Sequence, residues 1–142
     1  MDGLSSYVSR KGILSCSREE VYKFVTDLRN FERFIPERTV HDLVTEADSC
    51  SFSAAVAGRV NVRITGKEPF SKVTYGGDAL GKNDFSLELG IDRGAQDKTE
   101  VQVILEAELN PMLKMVANQP INQFLELLIR EMENFTDWSG TR

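Results

Sequence analysis

The sequence predicts an α+β domain: a first strand, two short helices, six further antiparallel strands and one long C-terminal helix. Three observations carry that prediction. Apolar residues recur at helical spacing between residues 21 and 35, alternate with period two between residues 39 and 109, and return to helical spacing after Pro111. Turn residues separate the alternating runs at short intervals, as a seven-stranded antiparallel meander requires. One face of each strand is apolar and the other polar, so the sheet is covered on one side and wet on the other.

Residues 7 to 14, Tyr-Val-Ser-Arg-Lys-Gly-Ile-Leu, show mixed alternation and are expected to form the first strand. Ser17-Arg18-Glu19-Glu20 then fits a capping box, in which the serine hydroxyl accepts from the Glu20 amide and the Glu20 carboxylate reaches back. Val21, Phe24, Val25 and Leu28 follow on one helical face. Asn30 is placed to cap a second short helix carrying Phe31, Phe34 and Ile35, and Pro36 ends it by excluding the preceding residue from the helical region.

Thr39 to Ala47 forms the next predicted strand, closed by Asp48-Ser49, and Cys50, Phe52, Ala54 and Val56 alternate up to Ala57-Gly58. Val60, Val62 and Ile64 alternate up to Gly66 and Pro69, and Lys72 to Tyr75 runs into Gly76-Gly77, read as the glycine-rich turn of a hairpin. Phe85, Leu87, Leu89 and Ile91 lead to Asp92-Arg93-Gly94, and Val101, Val103, Leu105, Ala107 and Leu109 make the cleanest alternation in the chain. Asn110 caps the final helix, with Pro111 at its first position, where a missing amide costs nothing. Ala117, Ile121, Phe124, Leu125, Leu128, Met132 and Phe135 lie on one face of it, and Pro120 predicts a kink or break near Gln119.

Residues 1 to 142 read as one domain: 41% hydrophobic and 27% charged residues suit a globular fold that buries about two thirds of its unfolded surface. With 22 acidic against 17 basic residues the net charge is −5, which disfavours nucleic acid as a partner. No apolar run reaches the roughly 18 residues of a membrane span, and the first residues do not read as a signal peptide, so integral membrane association is not expected and a cytoplasmic location is. Cys16 and Cys50 are then expected as free, packed thiols, and their spacing forms no metal motif.

Few residues carry an obvious chemistry. Gly76 to Lys82 matches the spacing of a phosphate loop, but Asn83 stands where the metal-binding hydroxyl belongs and a strand pattern follows instead of a helix. His41 is the only histidine, which excludes a two-histidine metal site and leaves one imidazole base. Arg59, Asn61 and Arg63 line the polar face of a strand and read as a solvated outer surface or an anion contact. Met112, Met115 and Met132 with Phe124 and Phe135 read as core or as an adaptable ligand-facing wall. The carboxylates sit on polar faces and in turns, with no pair set apart for acid-base work.

The stretches Glu20-Val21-Tyr22-Lys23-Phe24-Val25-Thr26-Asp27, Phe31 to Pro36 and Glu68-Pro69-Phe70-Ser71-Lys72-Val73, in this element order, resemble the START/Bet v 1-like (SRPBCC) superfamily. That superfamily is also grouped with polyketide cyclases and with a family of carbon monoxide dehydrogenase subunits. The resemblance implies a helix-grip fold, a curved sheet wrapping the last helix around a cavity for an apolar or amphipathic molecule. Its implied lining on the strands is Phe52, Ala54, Val62, Tyr75, Phe85, Leu87, Leu89, Val103 and Leu105, and on the helix Met115, Ile121, Phe124, Leu125 and Leu128. Tyr75 and His41 are the candidates for proton transfer, neither with an identified partner, so the expected role is binding of a small hydrophobic ligand without catalysis or cofactor. The alternatives are a polyketide cyclase or dehydratase-like enzyme, and a ribosome- or chaperone-associated module whose protein partner meets the outer sheet face around Arg59 and Arg63. The oligomeric state is left open.

Overall fold

The helical spacing after Ser17 becomes α1, Arg18–Val25, in the computed structural model, which describes residues 4–33, 40–54, 58–79 and 83–135. The capping box forms as expected: Glu20 N donates to Ser17 Oγ at 3.1 Å and Ser17 N to Glu20 Oε1 at 2.9 Å. Val21, Phe24, Val25 and Leu28 are all buried. A 3-10 helix, Leu28–Arg33, follows, and here the expectation is corrected. Asn30 lies inside it instead of capping a second α-helix, and its buried Nδ2 donates to the Phe24 carbonyl at 3.0 Å, satisfying one of the last acceptors of α1. Phe34, Ile35 and Pro36 lie outside the described residues.

The alternating runs give one antiparallel sheet. Its strands are β1 Leu4–Val8, β2 Gly12–Leu14, β3 Val40–Thr45, β4 Ser49–Ala54, β5 Gly58–Glu68, β6 Lys72–Ala79, β7 Asn83–Arg93 and β8 Thr99–Glu108. The order is β1-β8-β7-β6-β5-β4-β3, with β2 also paired to β8. The first strand is therefore two segments along one edge. Val8 stands opposite Ile104 and Gly12 opposite Val101, a step of four residues against three, so a bulge takes up one residue. Ser9 anchors it: its amide donates to the Val103 carbonyl and its Oγ accepts from the Val103 amide, both at 2.9 Å. The bulge keeps Tyr7, Ser9, Gly12 and Leu14 all buried, which is why alternation across residues 7 to 14 looks mixed.

Strand β6 runs through Gly76 and Gly77 instead of turning there, with the pair flanked by Arg63 and Val62 on one side and Ser86 and Phe85 on the other. The connection to β7 falls at residues 80–82, outside the described ones, and Asn83 opens a strand, as the failed phosphate-loop pattern implied.

Helix α2, Pro111–Asn134, is capped by Asn110, whose side chain accepts from the Leu113 amide at 2.9 Å. It is not broken at Pro120. Proline leaves the Val116 carbonyl without its helical donor, but Val116 is exposed, so water can take that bond. Helix α2 lies on the sheet at β1, β2 and β8, with Ile129 and Glu133 of its last turns over Gly12, and α1 covers β6 and β7. Leu14, Val21, Val73, Val101, Val103, Leu125, Ile129 and Met132, at 0–1% exposure, form the tight end of the core. Phe24 meets Phe135 there with ring centroids 4.9 Å apart. Ile129 is a full member of this core although it falls outside the predicted apolar face.

A hollow between the sheet and the first half of the last helix

Register decides what the inner face of the sheet presents. The row Ser5, Ala107, Phe85, Gly77, Val62, Cys50 crosses six strands, from β1 to β4. Four of its six members are small. The next row, Tyr7, Leu105, Leu87, Tyr75, Ile64, is built of large side chains. The rows beyond it, towards α1 and the end of α2, belong to the tight core. Packing fails where the small row lies: Val62, Ile64, Phe85 and Leu87 on the strands and Leu113, Ile121 and Phe124 on α2 are only partly buried, while Val73, Leu89 and Val103 are at 0–4%. Large side chains left half-covered on both sides show that sheet and helix pack less tightly here than at the other end of the core.

Gly77 shapes this loosely packed region. A Cβ there would stand 1.8 Å from the Asn61 carbonyl oxygen and 3.1 Å from the tip of the Phe85 ring, so only glycine lets β5 and β6 close up with Phe85 lying over them.

The polar groups facing inward are few. The Tyr75 hydroxyl donates to the Val25 carbonyl at 2.7 Å, tying the end of α1 to the sheet. Burial, with the nearby Cys50 thiol adding to it, pushes the Tyr75 phenol well above its ordinary value, which makes it a poorer acid at neutral pH. Burial likewise pushes the Cys50 thiol up to about 11, and burial followed by the neighbouring Glu20 carboxylate pushes Cys16 up to about 12. Both thiols are free. At the β1 edge the Tyr7 hydroxyl donates to Asn118 Oδ1 on α2.

Of the expected lining, Val62, Phe85, Leu87, Ile121 and Phe124 are partly buried where the packing is loose, and Tyr75 and Leu105 of the large row are buried. Phe52 is buried beside Val60 in the neighbouring row, and Ala54 ends β4 opposite Gly58. Leu89, Val103, Leu125 and Leu128 belong to the closed core. Met115 is a correction: it is 81% exposed, because at 100° per residue it points roughly 110° away from the buried face of α2. His41 is another. It is exposed on the outer face opposite Ser53, beside a register shift in which Asp42 adopts φ 55°, and cannot act with Tyr75. Ser5, Tyr7 and Asn118 escaped the sequence reading, although Tyr7 and Ser5 keep period two with each other; their link to α2 has no local signal.

On the outer face, the Arg59 guanidinium donates to Ser51 Oγ at 2.9 Å and to Ser53 Oγ at 3.4 Å, and Asn61 Nδ2 to Asp78 Oδ1 at 2.9 Å. Among the described residues, no group of three or more His, Cys, Asp or Glu is placed to hold a metal ion. No helix among them is long and apolar enough to cross a membrane.

No protein-family model matches the sequence, and no curated protein does. Solved structures match the fold at low identity. A norcoclaurine synthase point mutant from Thalictrum flavum, in complex with a transition-state analogue, aligns at a TM-score of 0.72 and 5% identity over 94% of each chain. Mll3558 from Rhizobium loti aligns at 0.63 and 11% identity, over 92% of this chain and 99% of that one. CalU16 from Micromonospora echinospora aligns at 0.52 and 16% identity, over 92% of this chain and 86% of that one. Likeness at this distance is likeness of fold.

Proposed function

Starting from the helix-grip fold of the START/Bet v 1-like superfamily, which this chain has, we propose that the protein binds a small hydrophobic or amphipathic molecule in the hollow under the first half of α2, without catalysis. One observation carries the reading: a row of small residues, Ser5, Ala107, Gly77 and Cys50, lies beside large apolar side chains that the protein itself leaves partly uncovered. Sites for small molecules are of this kind, concave and mostly apolar with a few polar groups. Covering about 200 Å² of apolar ligand surface contributes about 5 kcal/mol before the costs of ordering and association.

The chemistry of the walls supports binding over turnover. The eleven residues of the two rows include no carboxylate, histidine, lysine or arginine. Their ionisable groups are Tyr7, Tyr75 and Cys50. Tyr75 and Cys50 are held protonated by burial, and the Tyr75 proton is already engaged by a backbone carbonyl. The norcoclaurine synthase that shares the fold is by its name an enzyme, so the fold itself does not decide the matter.

Val62→Phe tests the reading, because it adds a ring where space exists. The neutral dye N-phenyl-1-naphthylamine should brighten and saturate with the wild-type protein, and the variant should bind it at least about tenfold more weakly while its melting temperature moves only a few degrees. Equal dye binding by the two proteins, or no saturable binding by the wild type, would overturn the proposal.

A further inference from the structure

We infer that β1 is the docking edge for a second copy of this chain, the two β1 strands pairing antiparallel about a two-fold axis at Ser6 so that two sheets become one. The inference goes beyond ligand binding and does not depend on it.

The order β1-β8-β7-β6-β5-β4-β3 gives the sheet two edges, and they differ. At β3 the register shifts between His41 and Val44, Asp42 takes φ 55°, and His41 and Asp42 both stand exposed. A bulge and a charge are the devices that keep an edge from pairing. At β1, Leu4–Val8 runs against β8 without a slip, and Leu-Ser-Ser-Tyr-Val holds neither a charge nor a proline.

The direction of the β1 backbone follows from its neighbour. Val103 of β8 turns its amide to Ser9 Oγ and its carbonyl to the Ser9 amide, so Leu105 and Ala107, two and four residues on, also face β1 and meet Tyr7 and Ser5. Ser6 and Val8 therefore turn their N–H and C=O away from β8, and no described residue bonds to them there. Their side chains are exposed on the outer face, Val8 at 54% and opposite the half-buried Ile104.

What fits this edge is its own copy. About an axis at Ser6, antiparallel pairing sets Ser6 opposite the second copy's Ser6 and Leu4 opposite its Val8, so each outward donor meets an outward acceptor. A net charge of −5 opposes association, but the strip along this edge is neutral, with no charged residue from Leu4 to Ser9 or from Met115 to Leu125. The flank of α2 above the edge belongs to that second stretch, since Asn118 bonds Tyr7 of β1 and Glu126 bonds Arg10 just beyond it. Asn118, Gln119, Asn122 and Gln123 line an open groove on the exposed side of the helix, with Glu126 and Arg130 at its end. Carboxamides donate and accept alike, and the two end charges are opposite in sign, so this flank too is complementary to itself. A pair of five-residue strands falls short of the roughly 1,200 Å² covered in a specific interface, and the α2 flanks add to it.

Sedimentation velocity on the full chain, from about 1 to 200 µM, reads the association. Wild type should reach a dimer at the upper end and nothing larger. Ser6→Pro removes a donor that bonds nothing within the chain, so it should keep the wild-type circular dichroism spectrum and dimerise at least about tenfold more weakly. Ser6→Lys and Ser6→Glu should each weaken the dimer about three- to tenfold by setting like charges opposite one another, and an equimolar mixture of the two should regain it. Val44→Lys, at an exposed position on the other edge, should leave the dimer within about twofold of wild type. A wild type that stays monomeric at the upper concentration would overturn the inference. So would growth to larger species, because a two-fold contact closes at two. A dimer that tolerates Ser6→Pro, or a Lys–Glu mixture that regains nothing, would put the contact elsewhere and overturn it as well. The charged pair decides the matter if the proline variant does not fold.

Discussion

Gly77→Ala probes the contact that brings β5 and β6 together under the hollow. The added Cβ would meet the Asn61 carbonyl oxygen at 1.8 Å and its carbon at 2.9 Å, both backbone atoms of the neighbouring strand. Ordinary carbon contacts lie at about 3.5 Å, so the strands must part by more than about 1 Å, and a rotamer change cannot relieve the clash. Separation on that scale breaks the ladder around Asn61↔Asp78 and Val62↔Gly77. Two lost bonds whose groups are left buried cost about 2–5 kcal/mol, against the roughly 0.4–1 kcal/mol that alanine gains by restricting the unfolded chain. The net loss is then about 2–4 kcal/mol. For a chain of this size the melting temperature falls by roughly 5–15 °C. Gly66→Ala is the control, since its added Cβ meets only the Thr74 side chain, at an ordinary 3.6 Å, and should stay within about 1 kcal/mol of wild type. Urea unfolding followed by circular dichroism measures both. A Gly77→Ala protein within about 1 kcal/mol of wild type would refute the close-approach reasoning, and so would equal losses at the two positions.

Tyr75→Phe keeps the ring but strands the Val25 carbonyl, and should cost about 1–3 kcal/mol in the same assay; an unchanged midpoint would mean the hydroxyl contributes nothing. The folded phenol is raised above its unfolded value of about 10, so its contribution is fully present below that value and declines as pH rises past it. Wild type should therefore lose stability on the alkaline side more steeply than Tyr75→Phe. Cys16 and Cys50, with thiols at about 12 and about 11, should react with Ellman's reagent at pH 8 far more slowly in the folded protein than in guanidinium; fast labelling of the native state would contradict their burial. Glu133 accepts from Arg10 Nη1 at 3.1 Å and Nη2 at 2.8 Å and from the Ile13 amide at 3.0 Å, and the Arg10 hydrogen bond holds its carboxyl below the usual range. That contribution is present above the ordinary glutamate value of about 4.3 and lost as pH falls below it. Glu133→Gln should flatten the dependence of urea midpoint on pH between about 6 and 3, and parallel curves would exclude the linkage.

The kind and order of the elements are legible in the chain alone, because they depend on neighbours a few residues apart. Ser17 and Glu20 meet within one turn, Asn110 and Pro111 start a helix locally, and the alternation from Val101 to Leu109 reports a half-buried strand wherever that strand is placed. Local readings failed where the rest of the fold overrode them. Gly76-Gly77 looks like a turn until β5 needs the room, Pro120 looks like a break until Val116 proves exposed, and the bulge at Ser9 is set by Val103 on another strand. The loosely packed inner row comes from strand pairing and helix docking. The row from Ser5 to Cys50 joins residues from β1, β8, β7, β6, β5 and β4 through register alone, and the Tyr7–Asn118 bond spans 111 positions of chain. Small residues scattered at positions 5, 50, 77 and 107 carry no common signal until six strands are laid side by side.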